Sequence, residues 1–156
     1  MLKLGWRPAI IAPVLVWGAL AGCASRWTES TLPDHDRAAV FRAARAVLGG
    51  RFPGFQVLDE KQGLLVTDPH VPAVPPASAR FHARVELAPA GRGTQLRVQV
   101  VQEALAFRDL QMVWLEAERT EKIKAVEGYI LEEIRARLEG REPDLPDPAE
   151  LPATPP

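Results

Sequence analysis

Apolar residues recur along this chain with two different periods. Val40, Phe41, Ala44, Val47 and Leu48 fall at helical spacing, which puts them on one stripe of an amphipathic first helix. Asp34 or Asp36 can cap its start, and Gly49-Gly50 supplies a stop. Phe81, Ala83, Val85 and Leu87 instead alternate with Arg80, His82, Arg84 and Glu86, and Leu96, Val98 and Val100 alternate with Gln95, Arg97 and Gln99. That period of two predicts antiparallel strands with one apolar face turned to helices and one charged face turned to water. Ala90-Gly91-Arg92-Gly93 joins them as a turn.

Shorter β-prone runs, Phe55–Leu58 and Leu64–Thr67, flank a polar turn ending in Gly63, and they read as a second hairpin because glycine accepts the positive φ of such loops. Asp68-Pro69 stops it, and Val71–Ala77, with three prolines, reads as an irregular crossing, either a plain connection or a binding loop. Glu103–Gln111 is ambiguous, an extension of the last strand being one reading. Trp114, Ile123, Val126, Ile130, Ile134 and Leu138 then mark a long C-terminal helix, with Glu118–Lys122 and Glu133–Arg137 at i,i+4 spacing and Gly140 as its stop. Gly128 weakens its middle by about 1 kcal/mol relative to alanine, which suits close packing or a bend. Its apolar seam is not a sustained heptad, so core packing accounts for it better than a self-associating coil. The expected fold is α+β: a four-stranded antiparallel sheet of two hairpins, with an N-terminal and a long C-terminal helix packed on one face.

The ends follow other rules. Lys3 and Arg7 precede an uncharged, mostly apolar run from Ala9 to Leu20, and Ala21-Gly22 puts small residues before Cys23, the arrangement of a signal peptide and its cleavage point. As a helix that run would rise about 18 Å, short of the roughly 30 Å hydrocarbon core. The charge-free stretch Pro8–Ser25 is 18 residues long, the lower edge for a spanning helix, so an uncleaved anchor is the competing reading. At the other end, Glu142–Pro156 holds six prolines and four acids with no basic residue, a composition that favours extended chain and builds no core.

Leu20-Ala21-Gly22-Cys23 resembles the lipobox of bacterial lipoproteins. The resemblance covers about the first 25 residues. It implies cleavage between Gly22 and Cys23, a diacylglyceryl group on the Cys23 thiol, and a further acyl chain on its amine in Gram-negative bacteria. Two or three fatty chains make a stable anchor where one gives only marginal binding. Ala24-Ser25 lacks the aspartate typical of inner-membrane retention, so the resemblance favours a periplasm-facing address at the outer membrane. The chain then divides into a signal peptide (1–22), a tether linker (23–33) in which Trp27 either meets the membrane interface or packs on the domain, a single α+β domain (34–140) and a proline-rich, acidic disordered tail (141–156).

Removing residues 1–22 from the 156 leaves 134 and takes away Lys3 and Arg7, so 17 of the 19 basic side chains remain against 20 acidic ones, a net charge of about −3. This balance gives no electrostatic case for nucleic acid. With Cys23 alone there is no internal disulfide. His35, His70 and His82 lie in different expected elements without metal-ligand spacing. Ser25, Ser30 and Ser78 lack the Gly-x-Ser-x-Gly turn of a hydrolase, and Gly91-Arg92-Gly93 is no phosphate loop. Asp68 and His70, flanking Pro69, bring no third group with them. No catalytic residue and no cofactor is therefore assigned.

Ala38–Thr67, an amphipathic helix followed by Gly54-Phe55-Gln56-Val57-Leu58-Asp59-Glu60-Lys61-Gln62-Gly63-Leu64-Leu65-Val66-Thr67, is similar to the small α/β modules of BamC-like accessory lipoproteins in outer-membrane protein assembly. That similarity implies a non-catalytic role in the envelope through a protein partner. The expected contact surface is the charged sheet face with Arg80, His82, Arg84 and Arg97, on which no cluster of aromatics is expected, or the proline loop, with the tail as spacer; for the sheet face the competing reading is an ordinary solvated surface. The alternative is a module that holds a lipid, glycan or other small ligand between helices and sheet, which requires an apolar pocket there.

Overall fold

A computed structural model describes residues 26–71 and 78–144. The lipobox with Gly22 and Cys23, residues 72–77 of the proline-rich crossing, and the tail from 145 lie outside the described residues. In chain order the elements are β1 (Thr28–Leu32), α1 (Arg37–Gly49), β2 (Phe55–Asp59), β3 (Leu64–Thr67), β4 (Ala79–Ala90), β5 (Gly93–Arg108), β6 (Gln111–Glu116) and α2 (Glu121–Glu139). The protein is α+β, with one antiparallel sheet and two helices. The sheet runs β1-β5-β4-β3-β2, and β6 shares an edge of β5 with β1.

Six strands replace the expected four, and the helix layout differs accordingly. Thr28–Leu32, expected as linker, is β1, pairing Thr28 with Val98 and Leu32 with Thr94. It lacks an apolar alternation because its inward residues Thr28 and Ser30 meet polar groups of α2. Trp114, expected in the helix, stands in β6 opposite Leu105, and α2 begins only at Glu121. The extension of β5 to Arg108 turns back through Asp109 and Leu110 without the glycine that marks such turns in sequence.

Local chemistry explains the remaining elements. The Asp36 side chain accepts the Ala39 N–H at 2.7 Å and caps α1, satisfying a donor with no intrahelical partner. Thr120 does the same for α2 through Ile123, and Gly140 ends that helix at φ 65°. Gly63, at φ 70°, closes the β2–β3 turn where an added Cβ would fall 2.7 Å from the Leu87 carbonyl oxygen, so both conformation and space require glycine. Across the central pair, Ala83 faces Val100, Val85 faces Val98 and Leu87 faces Leu96. These side chains join Val40, Phe41, Ala44 and Leu48 of α1 and Ile123, Ile130 and Ile134 of α2 in one buried core. Each fully buried aliphatic contributes roughly 1.5–3 kcal/mol. Arg51, just beyond α1, clamps Glu133 of α2 with bonds of 2.5 and 2.9 Å, so Glu133 is held across the helix pair.

Candidate functional site

β5 is bordered by β4 as far as Ala104, but its other edge is covered in two pieces. β1 takes Thr94–Val98 and β6 takes Glu103–Arg108, leaving a notch around Val100. Glu127 of α2 fills its inner side. The carboxylate is fully buried and accepts the Val100 N–H at 2.8 Å and the Thr28 hydroxyl at 2.6 Å. Arg119 pairs with it and also donates to Thr28 Oγ1 at 2.7 Å. A backbone donor that a continuous edge strand would satisfy is thus taken up by a side chain. A cavity of about 430 Å3 opens beside this network, lined by Arg26, Gln99, Glu116 and Ile123 among others. β3 ends in a similar way: Thr67, also fully buried, accepts the Ala83 N–H with its hydroxyl at 2.8 Å.

Glu127 was legible in part. Ile123, Ile130 and Ile134 form the buried stripe of α2, and Glu127 stands within it at four and three residues from its neighbours. A carboxylate on an apolar stripe requires buried partners. Its partners, however, come from β1, the notch and the segment before α2, and nothing in their local sequence announces them.

On the opposite sheet face the structure brings together all four expected contact residues. Arg80 faces Glu103, His82 faces Val101, Arg84 faces Gln99 and Arg97 faces Glu86. None of the three arginines is an open cation. Arg80 grips Glu103 with two bonds of 2.7 and 3.1 Å, Arg84 bonds Glu86 at 2.6 Å, and Arg97 Nε lies 3.2 Å from a Glu29 carboxylate oxygen. The Arg80 guanidinium, as hydrogen-bond donor to Glu103, holds that carboxyl below its usual range against the opposing effect of burial. His82 Nδ1 is covered and without a hydrogen bond, 3.6 Å from Glu103.

This face also carries aromatics that the sequence reading did not place there. Arg80 stacks over Trp114 at 4.7 Å from the ring centre, and Arg84 over Trp27 at 5.4 Å, both within cation–π range. The sequence pattern leaves Trp27 in a linker, either at a membrane interface or packed on the domain, and puts Trp114 in a helix; the structure packs Trp27 against Arg84 of the sheet and places Trp114 in β6. Beside the Arg84–Trp27 stack lies a hollow of about 550 Å3, whose lining includes Trp27, His82, Arg84 and Glu103. Interfaces enrich arginine and large aromatics and deplete other charged residues at their centres; this face shares the first feature, while it carries Glu29, Glu86 and Glu103 in pairs with its arginines.

Asp68 and His70 each make backbone bonds to a different neighbour. Asp68 donates its N–H to the Gly54 carbonyl oxygen at 2.9 Å, while the His70 backbone exchanges two bonds with Phe81. Among the described residues no group of three or more metal-ligating side chains forms, and no helix is long and apolar enough to cross a membrane. No protein-family model matches this chain, and no curated protein matches it.

Proposed function

We propose that this protein is a lipid-tethered, non-catalytic domain of the cell envelope, anchored through Cys23 and facing the periplasm, with the outer membrane favoured. Its sheet face with the Arg80–Trp114 and Arg84–Trp27 stacks makes contact with an envelope protein. The observation that carries this reading is Leu20-Ala21-Gly22-Cys23, five residues before the first strand residue, Thr28. A thiol at that place, behind an apolar segment and small residues, suits an anchor. The packing between helices and sheet supports a contact role over a ligand held there. Leu48, Leu65, Leu96, Val98, Ile130 and Ile134 fill the interior of that space and are fully buried, and the notch cavity at its rim has the polar residues Arg26, Gln99, Gln102, Glu116, Glu118 and Arg119 in its wall.

Mass spectrometry of the membrane fraction tests the tether. The expected product is a mature peptide beginning at Cys23 and carrying acyl mass, whereas an intact Met1 or an unmodified Cys23 peptide overturns the reading. The contact face is tested by recovering envelope partners from detergent-solubilised membranes with Trp27→Ala and Trp114→Ala chains. Loss of a partner seen with the native chain is expected, and unchanged recovery removes this face from the proposal.

A further inference from the structure

Past Leu105, whose N–H donates to the Ser78 carbonyl oxygen, β5 keeps only β6 beside it, and the two strands run on from the Glu103–Glu116 pair as a two-stranded arm. Seven large apolar side chains are exposed among the described residues, and four of them, Phe107, Leu110, Met112 and Leu115, belong to this arm. Phe107 faces Met112 across the arm, and Leu110 forms its tip at 87% exposure. The turn itself is unusual. Asp109 and Leu110 both have positive φ, 50° and 65°, in a position where glycine or asparagine avoids the clash of Cβ with the following carbonyl. Nothing in the fold calls for leucine there, since it packs almost nothing and glycine would satisfy the turn better.

The direction of β1 says what the tip faces. β1 runs antiparallel to β5, Leu32 opposite Thr94 and Thr28 opposite Val98. Traced backward from Thr28, the chain therefore heads toward the end from which the arm projects. Arg26 already lies beside the arm's base, 3.7 Å from Glu116. From that base the tip stands about 17 Å away, five residues of strand. Cys23 precedes Arg26 by three residues, a reach of about 10 Å. The arm is longer than that reach, so an anchor at Cys23 leaves the tip able to meet the same surface.

We propose that the apolar tip of the β5–β6 arm, with Phe107, Leu110 and Met112, seats in the headgroup layer of the bilayer beside the Cys23 anchor and fixes the domain's orientation there. This rests on the tether reading for its position and on the exposed arm for its chemistry. The tip carries one cation and one anion, Arg108 and Asp109, 3.7 Å apart. Seating is thus driven by apolar burial and is insensitive to the fraction of anionic lipid. The contact face by Trp27 and Trp114 then stands at a set distance from the membrane.

The test uses the mature chain, purified from membranes and reconstituted in phosphatidylethanolamine–phosphatidylglycerol vesicles. Acylation blocks the native thiol, so Leu110→Cys supplies a single site for an environment-sensitive fluorophore. Arg92→Cys, in the β4–β5 turn at the far end of the sheet, is the control. The expected result is a blue shift and several-fold stronger quenching by nitroxide lipids at position 110 than at 92, reduced by adding Phe107→Ser. Equal, water-like emission at both positions overturns the proposal. So does a blue shift that persists in detergent and rises with protein concentration, which assigns the tip to a second copy. Intact mass on the same preparation reports the anchor separately: an unmodified Cys23 overturns the tether, and Cys23→Ser added to the Leu110→Cys chain then keeps the label at 110 alone, so that its emission with vesicles still decides the tip.

Discussion

The body of the sheet and the β5–β6 arm share one long strand, β5, under opposite rules. In the body, β5 has β4 on one side, β1 on the other and α2 across its face, and Leu96 and Val98 are fully buried. In the arm the same strand has lost β1 and the helices, keeps backbone pairing with β6, and leaves Phe107 68% exposed. Side-chain burial therefore holds the body, and the hydrogen-bonded ladder alone shapes the outer arm. A two-stranded ribbon without a covered face is marginal by itself, so the arm depends on its root.

The largest expected contrast comes from truncating one residue in each region. Ile130→Ala empties a fully buried position against the sheet and should cost about 3 kcal/mol. Phe107→Ala removes an exposed side chain and should change stability by no more than about 0.5 kcal/mol. Urea unfolding of both variants measures the difference. Comparable losses would mean that the arm is packed, and would break the distinction.

Glu127 sharpens the comparison because it occupies the notch between β1 and β6 where body gives way to arm. Glu127→Ala leaves the Val100 N–H without its acceptor and Arg119 without its carboxylate, and should cost about 2–3 kcal/mol. Replacing a buried ion pair by apolar residues is often neutral, yet here Glu127→Leu with Arg119→Met should remain destabilising. The backbone donor of Val100 and the hydroxyl of Thr28 would still be stranded. Denaturation midpoints of the single and double variants decide it, and a double variant as stable as the native chain would show that the notch needs no acceptor.

The two regions also differ in how far they could be read from sequence. The β4–β5 alternation and the caps at Asp36 and Gly140 were legible because burial on one face and helix ends leave periodic or local marks. β1 and β6 were not. Thr28 and Ser30 point inward yet are polar, their partners lying 99 and 105 residues away on α2. The arm shows no usable alternation because neither of its faces is covered by a helix, and its turn lacks glycine. The four expected contact residues did come together, since one alternating strand carries three of them and its partner the fourth. The tryptophans that complete the face could be placed only once β1 and β6 were known.

The smallest effect tests the root of the arm. Glu103 lies opposite Glu116 at the first β5–β6 pair, and its bidentate bond from Arg80 holds its carboxyl below the ordinary value of 4.5. A carboxyl depressed in the folded state stabilises fully above its unfolded pKa, and that contribution is lost as pH falls through the folded value. At neutral pH, Glu103→Gln should therefore cost about 0.5–1 kcal/mol, the scale of a partly exposed ion pair, and the difference from the native chain should shrink as pH drops below about 4.5. Arg80 would keep its stack on Trp114, so the effect should concentrate in faster hydrogen exchange of the β6 amides with the core of β4 unchanged. Uniform acceleration across both regions would show instead that arm and body unfold as one unit, and that the Arg80–Glu103 clamp serves the whole sheet.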